Sequence, residues 1–179
     1  GLATSVVSDV LGRTIGSVGI LPVNKSPVAI CGNAVTVKVR PGDNLLIHKA
    51  LQMLQPGDVL VVDGGGDISR ALFGEIMMTV AKAKGAIGGV FDGAIRDVDT
   101  FEKHQFPCYA RGINLRGPYK DGPGSINTPV SIGGMVVNPG DVISFTLGTN
   151  GVQPSIENTP CYGSAYYVSP YTASNGTNG

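Results

Sequence analysis

The sequence predicts a layered α/β domain built on a mixed sheet. Three observations carry that prediction. The middle of the chain alternates short apolar runs with helical patterns, its later part is rich in strand-like segments, and tight turns separate most elements. The turns follow from composition. With 27 glycines and 12 prolines in 179 residues, these two types make up about a fifth of the chain, against roughly 12% on average. A bundle of long helices is excluded, while a hydrophobic content of 42% supports a sizeable core.

The elements read as follows. Residues 2–11 place Leu2, Val6, Val7, Val10 and Leu11 on one face, a short amphipathic helix closed by Gly12. Residues 28–39 alternate as a strand, with Gly32 expected at a bulge. Pro41-Gly42-Asp43 is a turn, and Asp43 is the expected N-cap of a helix over 44–54. After a second turn, Pro56-Gly57-Asp58, residues 59–62 form a buried strand ended by Gly64, Gly65 and Gly66. A helix carrying Ile76, Val80 and Ala83 runs to Gly85. A buried strand over 87–91, a short helix over 98–104 and a strand over 107–110 follow. The segments 129–137 and 142–146 are expected to pair through a third turn, Pro139-Gly140-Asp141.

Charge divides the chain into a body, residues 1–147, and a tail, 148–179. Thirteen basic residues balance thirteen acidic ones, yet Glu157 is the only charged residue after Asp141. Four of the six tyrosines (Tyr162, Tyr166, Tyr167 and Tyr171) lie in that tail. They are the expected anchors by which it packs along the body or across a neighbouring protomer of an oligomer. The charge balance argues against nucleic acid or an anionic membrane as partner. No apolar run approaches the roughly 20 residues of a membrane span, and no signal-peptide pattern is present. Cys31, Cys108 and Cys161 fit neither zinc spacing nor a disulfide framework. They read as reduced, mostly buried thiols, and the expected compartment is the cytoplasm.

Three loops offer chemistry. Asp63-Gly64-Gly65-Gly66-Asp67 follows a buried strand and, with Asp92, resembles the glycine loop of a nucleotide or S-adenosylmethionine site. It lacks both phosphate-loop fingerprints, so a plain tight turn is favoured. At Gly74-Glu75 a helix begins, and the first amides near Ile76 and Met77 suit a small carboxylate. Without further context, Gly74 reads as a helix breaker and Glu75 as a first-turn charge. At Arg96-Asp97, after the strand over 87–91, an arginine fork and a carboxylate could bind an anion and a hard cation. A surface ion pair with a helix cap is the plainer alternative. His48 and His104 have no partner at usable spacing, and Ser69, Ser125 and Ser131 lack a nucleophile elbow.

Taken together, GDVLVVDGGGDISRALFGEIMMTVAKAKGAIGGVFDGAIRDVDTF, FPCYARGINLRGPYK and INTPVSIGGMVVNPGD resemble the family of the regulator of ribonuclease activity A. That family includes 4-hydroxy-4-methyl-2-oxoglutarate (HMG) aldolases and oxaloacetate decarboxylases. The similarity runs from about Ser5 to Asp141, and its most telling feature is an acidic residue, Glu75, with twenty residues between it and Arg96-Asp97. The resemblance implies an α-β-β-α sandwich related to swivelling phosphohistidine domains, assembled as a trimer or hexamer. It also implies a lyase that cleaves a C–C bond of a pyruvate-containing 2-oxo acid with magnesium or manganese. Asp97 would ligate the metal and Glu75 would act through metal-bound water. Arg96 would bind the carboxylate or bridging oxygen of the substrate, and the amides of Glu75, Ile76 and Met77 beside Gly74 would hold its carboxylate. Three departures stand out. Position 75 is Glu where the aldolases usually carry Asp, no acidic stretch follows Asp141, and Glu157 is the only tail acid. A non-catalytic protein with a ribonuclease partner is the alternative that the same resemblance allows, and a methyltransferase is a third reading.

Overall fold

The computed structural model describes residues 9, 16–25, 30–146 and 164–168. Its main sheet has nine strands. In chain order these are β1 (Leu21–Pro22), β2 (Ile30–Val39), β3 (Asp58–Asp63), β4 (Ala71–Phe73), β5 (Gly88–Ile95), β6 (Cys108–Ile113), β7 (Gly124–Ile126), β10 (Val142–Thr146) and β11 (Ser164–Val168). A separate two-stranded sheet pairs β8 (Val130–Ile132) with β9 (Met135–Val137). Three helices, α1 (Leu45–Leu51), α2 (Glu75–Ala83) and α3 (Val98–Lys103), connect the central strands.

The sheet is mixed, as expected, with the order β1-β6-β5-β3-β2-β10-β11. Strands β2, β3, β5 and β6 are parallel neighbours, each reached from the last through one of the helices. Crossovers that advance in one direction with one handedness deliver their helices to one face. Phe73, Phe91, Phe101, Phe106, Met77 and Met78 fill the core on that side. Phe73 lies 4.6 Å from Phe91 and 6.0 Å from Phe101 between ring centroids. The opposite face needs another cover, and the β8–β9 hairpin provides it. Val130, Ile132 and Val137 join Val59, Val61, Val90 and Tyr109 there in a second buried cluster. β3 is buried along its whole length because it is covered from both sides.

Several expectations change in three dimensions. The helix over 2–11 lies outside the described residues except Asp9, which is helical. Gly32 is no bulge, since Asn33, Gly32, Cys31 and Ile30 pair in unbroken register with β10. Its reason is space: a Cβ there would stand 2.3 Å from the Gly57 carbonyl oxygen and 2.7 Å from Ile87 Cδ1. The face of α2 turned to the core carries Met77, Met78 and Ala81, while Ile76 is 77% exposed. Residues 129–137 form their own hairpin, and 142–146 pairs with β2 and β11 instead. Cys108 is buried, and burial pushes its thiol well up, but Cys31 is exposed. Cys161 lies outside the described residues, as do Tyr162 and Tyr171. Within the tail, Ser164–Val168, which includes Tyr166 and Tyr167, forms an antiparallel strand along the body's β10. No helix among the described residues is long and apolar enough to cross a membrane.

A Gly32→Ala substitution tests the close-packing account. The clash is with backbone, which yields poorly, so the variant is expected to lose about 1–3 kcal/mol of stability, the usual cost of overpacking. Thermal unfolding would measure it, and an unchanged midpoint would return Gly32 to a merely permissive role.

Candidate active site

A cleft of ≈ 200 Å³ opens where β4 ends and α2 begins. Its lining includes Gly74, Glu75, Ile76, Met77, Arg96 and Asp97, all six singled out from the sequence. The fold brings them together through one junction. β4 pairs in parallel with the end of β5, and the Arg96 amide donates to the Phe73 carbonyl at 3.0 Å. Asp97 then takes a left-handed conformation, φ 58° and ψ 39°, which aspartate tolerates better than most residues. That turn stops the strand and points the carboxylate back at α2. Its Oδ2 accepts the Glu75 amide at 3.1 Å and lies 3.6 Å from Arg96 Nε. Asp97 also starts α3, since its carbonyl accepts the Thr100 amide and hydroxyl.

Gly74 stands at this junction for lack of room. A Cβ there would fall 2.6 Å from Asp97 Oδ2 and 3.0 Å from Arg96 Cγ. Met78 makes the first intrahelical bond of α2, to the Gly74 carbonyl at 3.0 Å. The Ile76 and Met77 amides therefore have no acceptor within the helix, and the helix dipole adds partial positive charge around them. The Glu75 amide differs from expectation: it is already bonded to Asp97, leaving two first-turn donors for a carboxylate ligand. The Glu75 side chain is exposed at the rim.

The far wall was not legible in the sequence. Asn44, His48, Pro118 and Lys120 complete the lining. Asn44 is 4% exposed, and its Nδ2 donates to the Leu72 carbonyl at 3.1 Å and to Met77 Sδ at 3.4 Å. Its Oδ1 is buried without a partner. Burial first, and the Lys120 charge second, hold His48 below the ordinary histidine value. The spacing that could have signalled this wall is Asn44 to His48, four positions apart across the start of α1. Nothing local links it to Lys120. His104 does not line the cleft.

The glycine loop serves the scaffold. The amides of Gly64 and Gly66 donate to the Asp92 carbonyl, and that of Gly65 to Asp63 Oδ1. Gly65 and Gly66 adopt φ of 67° and 74°, which explains the glycines without any ligand. Asp63 and Asp92 lie side by side in register. Their remaining oxygens accept the Ser131 and Gly133 amides of the hairpin, and Arg111 pairs with Asp92. The loop's donors are spent internally, so the plain-turn reading holds.

For a metal, the chemistry of the donors is restrictive. Among the described residues, no three His, Cys, Asp or Glu side chains gather as a ligand set. A tetrahedral zinc site does not fit. A hard divalent ion that keeps several waters asks for only one or two carboxylates, and Asp97 with Glu75 fits that demand.

Fold and cleft together define a mixed α/β domain with a pocket at the C-terminal end of parallel strands. The RraA-like family model, described as Aldolase/RraA, matches residues 4–145, and the chain belongs to that family. A provisionally named 4-hydroxy-4-methyl-2-oxoglutarate aldolase from Halalkalibacterium halodurans is 41% identical over 143 residues, 79% of this chain and 68% of that protein. The structure of the RNA-processing inhibitor RraA from Thermus thermophilis superposes with a TM-score of 0.72 at 27% identity, covering 80% of this chain and 87% of that one. A structure from Geobacillus kaustophilus HTA426, named as an S-adenosylmethionine:2-dimethylmenaquinone methyltransferase, gives a TM-score of 0.75 at 24% identity. It covers 98% of this chain and 100% of that one. At that identity the likeness is one of fold alone.

His48 offers a direct check. Its imidazole is expected to titrate below 6.5 in the folded protein and to move upward, still short of 6.5, in Lys120→Ala, because burial is the larger cause. The unfolded chain then takes up this proton first, so His48 subtracts stability as pH falls through 6.5. Nuclear magnetic resonance titration of the ring protons measures the midpoint in both proteins.

Proposed function

We propose that the cleft is the active site of a lyase that cleaves a C–C bond in a pyruvate-containing 2-oxo acid, by HMG aldol cleavage, oxaloacetate decarboxylation or both. The observation that carries this reading is the convergence of Arg96, Asp97, Glu75 and the amino end of α2 on one cleft. Retro-aldol cleavage and decarboxylation share one demand. As the bond breaks, its electron pair passes into a pyruvate enolate, and the new negative charge must be met by positive groups already in place.

The residues divide that work. The Ile76 and Met77 amides, at the positive end of α2, hold the substrate carboxylate. The Arg96 guanidinium faces the keto oxygen and stabilises it as enolate charge develops. In retro-aldol cleavage the hydroxyl proton must leave as the C–C bond breaks. The rim carboxylate of Glu75 takes it through an intervening water, and a proton returned through water to the enolate carbon completes pyruvate. Asp97, helped by Glu75 through water, would hold magnesium or manganese. When bound, such an ion supplies Lewis-acid polarisation of the keto group. No histidine or lysine nucleophile is needed.

The Thermus thermophilis neighbour is named as an RNA-processing inhibitor, and the alternative to the lyase is a protein that binds a ribonuclease and catalyses nothing. Fold cannot separate the two, because both functions sit on one scaffold. Pyruvate release can. With added magnesium, the lyase is expected to release pyruvate from oxaloacetate or HMG and to stop on chelation. Arg96→Ala is expected to lower kcat about a hundredfold or more, the usual loss on removing one such donor. Asp97→Ala is expected to abolish the metal-dependent rate, with the fold retained in both variants by circular dichroism. Glu75→Gln is expected to slow turnover while leaving metal binding intact by calorimetry. Full activity in Arg96→Ala or Asp97→Ala would sink the mechanism.

A further inference from the structure

The two walls of the cleft come from distant parts of the chain, and one buried carboxylate joins the parts of the far wall. Asp43 is 1% exposed and lies outside the cleft lining, one residue before Asn44. Its Oδ1 accepts the Leu45 amide at 2.9 Å, at the start of α1. Its Oδ2 accepts the amides of Asp121 at 2.7 Å and Gly122 at 3.0 Å, and faces Arg40 at 3.4 Å. Two further bonds continue the seam: the Asn44 amide donates to the Tyr119 carbonyl at 3.0 Å, and the Tyr119 amide to the Gly42 carbonyl at 2.8 Å. The Arg40 and Arg70 guanidiniums lie 5.3 Å and 3.9 Å from the Tyr119 ring centroid.

From this we infer that Asp43 is a positioning residue: it pins residues 119–122 to the start of α1 and thereby sets Lys120 beside His48 as the cationic wall that binds the substrate anion. The argument is one of acceptor capacity. Three backbone amides and a guanidinium converge on two oxygens, and only a carboxylate accepts on both sides. An asparagine must turn its NH₂ toward the Leu45 donor or toward those of Asp121, Gly122 and Arg40. Burial by itself would raise the Asp43 carboxyl, yet the amides of Leu45, Asp121 and Gly122, with Arg40, outweigh it and hold it below the ordinary value. The pin is therefore charged throughout the neutral range.

The inference rests on the cleft binding an anionic 2-oxo acid, so its test has one arm that needs no substrate. Asp43→Asn, Lys120→Ala and the double variant are compared with the full chain in pyruvate release from oxaloacetate or HMG with magnesium. Lys120→Ala is expected to raise KM about tenfold with kcat unchanged, the pattern of lost ground-state binding. Asp43→Asn should raise KM to a similar degree, and the double variant should be no worse than either. Amide exchange over residues 119–122 should accelerate in Asp43→Asn while the sheet stays protected. Effects on KM that multiply in the double variant, or unchanged exchange at 119–122, would overturn the inference. If Asp43→Asn does not fold, Arg40→Met, which withdraws one of the four donors, goes through the same cycle. A smaller KM rise is then expected, and its combination with Lys120→Ala should again be no worse than Lys120→Ala alone; multiplying effects would overturn the inference as before. An inactive full chain would overturn the lyase reading, and the exchange arm would still decide whether Asp43 pins the loop.

Discussion

The cleft depends above all on the contact between the end of β5 and the start of α2. Asp97 leaves the strand in a left-handed turn and caps the Glu75 amide, while the Arg96 amide continues the ladder to Phe73. Those two bonds join the third crossover of the sheet to the second. They also set the polarity of the cleft, because a carboxylate, a guanidinium and the positive end of a helix are forced into adjacency. Gly74 is the steric consequence. Any side chain there would take the space that Asp97 and Arg96 occupy.

A second constraint acts at the ends of β3 and β5. Asp63 and Asp92 are both buried and lie side by side, an arrangement that would be costly without partners. Arg111, the glycine-loop amides and the hairpin amides of Ser131 and Gly133 provide them. The same bonds fasten the hairpin across the face that the helices leave bare. Scaffold and site thus use aspartates differently. Asp63, Asp92 and Asp43 are buried and spent on backbone donors, whereas Asp97 keeps 39% of its side chain exposed and can still meet a ligand.

The cleft has two walls. Arg96, Asp97 and the first turn of α2 form one side. Asn44, His48, Pro118 and Lys120 shape the side opposite. Asn44 touches both walls, since it begins α1 and its amide group reaches Leu72 and Met77. Its unpartnered Oδ1 is an acceptor that the protein leaves unspent at this seam, where most other polar atoms are engaged.

The sequence by itself determined the elements whose signals are local. The apolar run of β3, the three Pro-Gly-Asp turns, the glycine that closes α2 and the mixed α/β class can all be read from neighbouring residues. The pairing of Glu75 with Arg96-Asp97 came instead from the family resemblance, since taken singly they read as a first-turn charge and a surface ion pair. Tertiary structure decided the rest. Which face of α2 is buried depends on Phe73 and Phe91 beneath it, and so Ile76 points outward although its periodicity fits the core. The partner of Val142–Thr146 is β2 rather than the nearer hairpin, because a sheet edge was open there and the hairpin was engaged over the opposite face. His48 and Lys120, 72 positions apart, line one cleft because their segments are tied together, in part by Asp43 accepting the Asp121 and Gly122 amides. A buried carboxylate selects its donors by where the folded backbone leaves them unsatisfied, and that is a property of the assembled chain, not of any stretch of it.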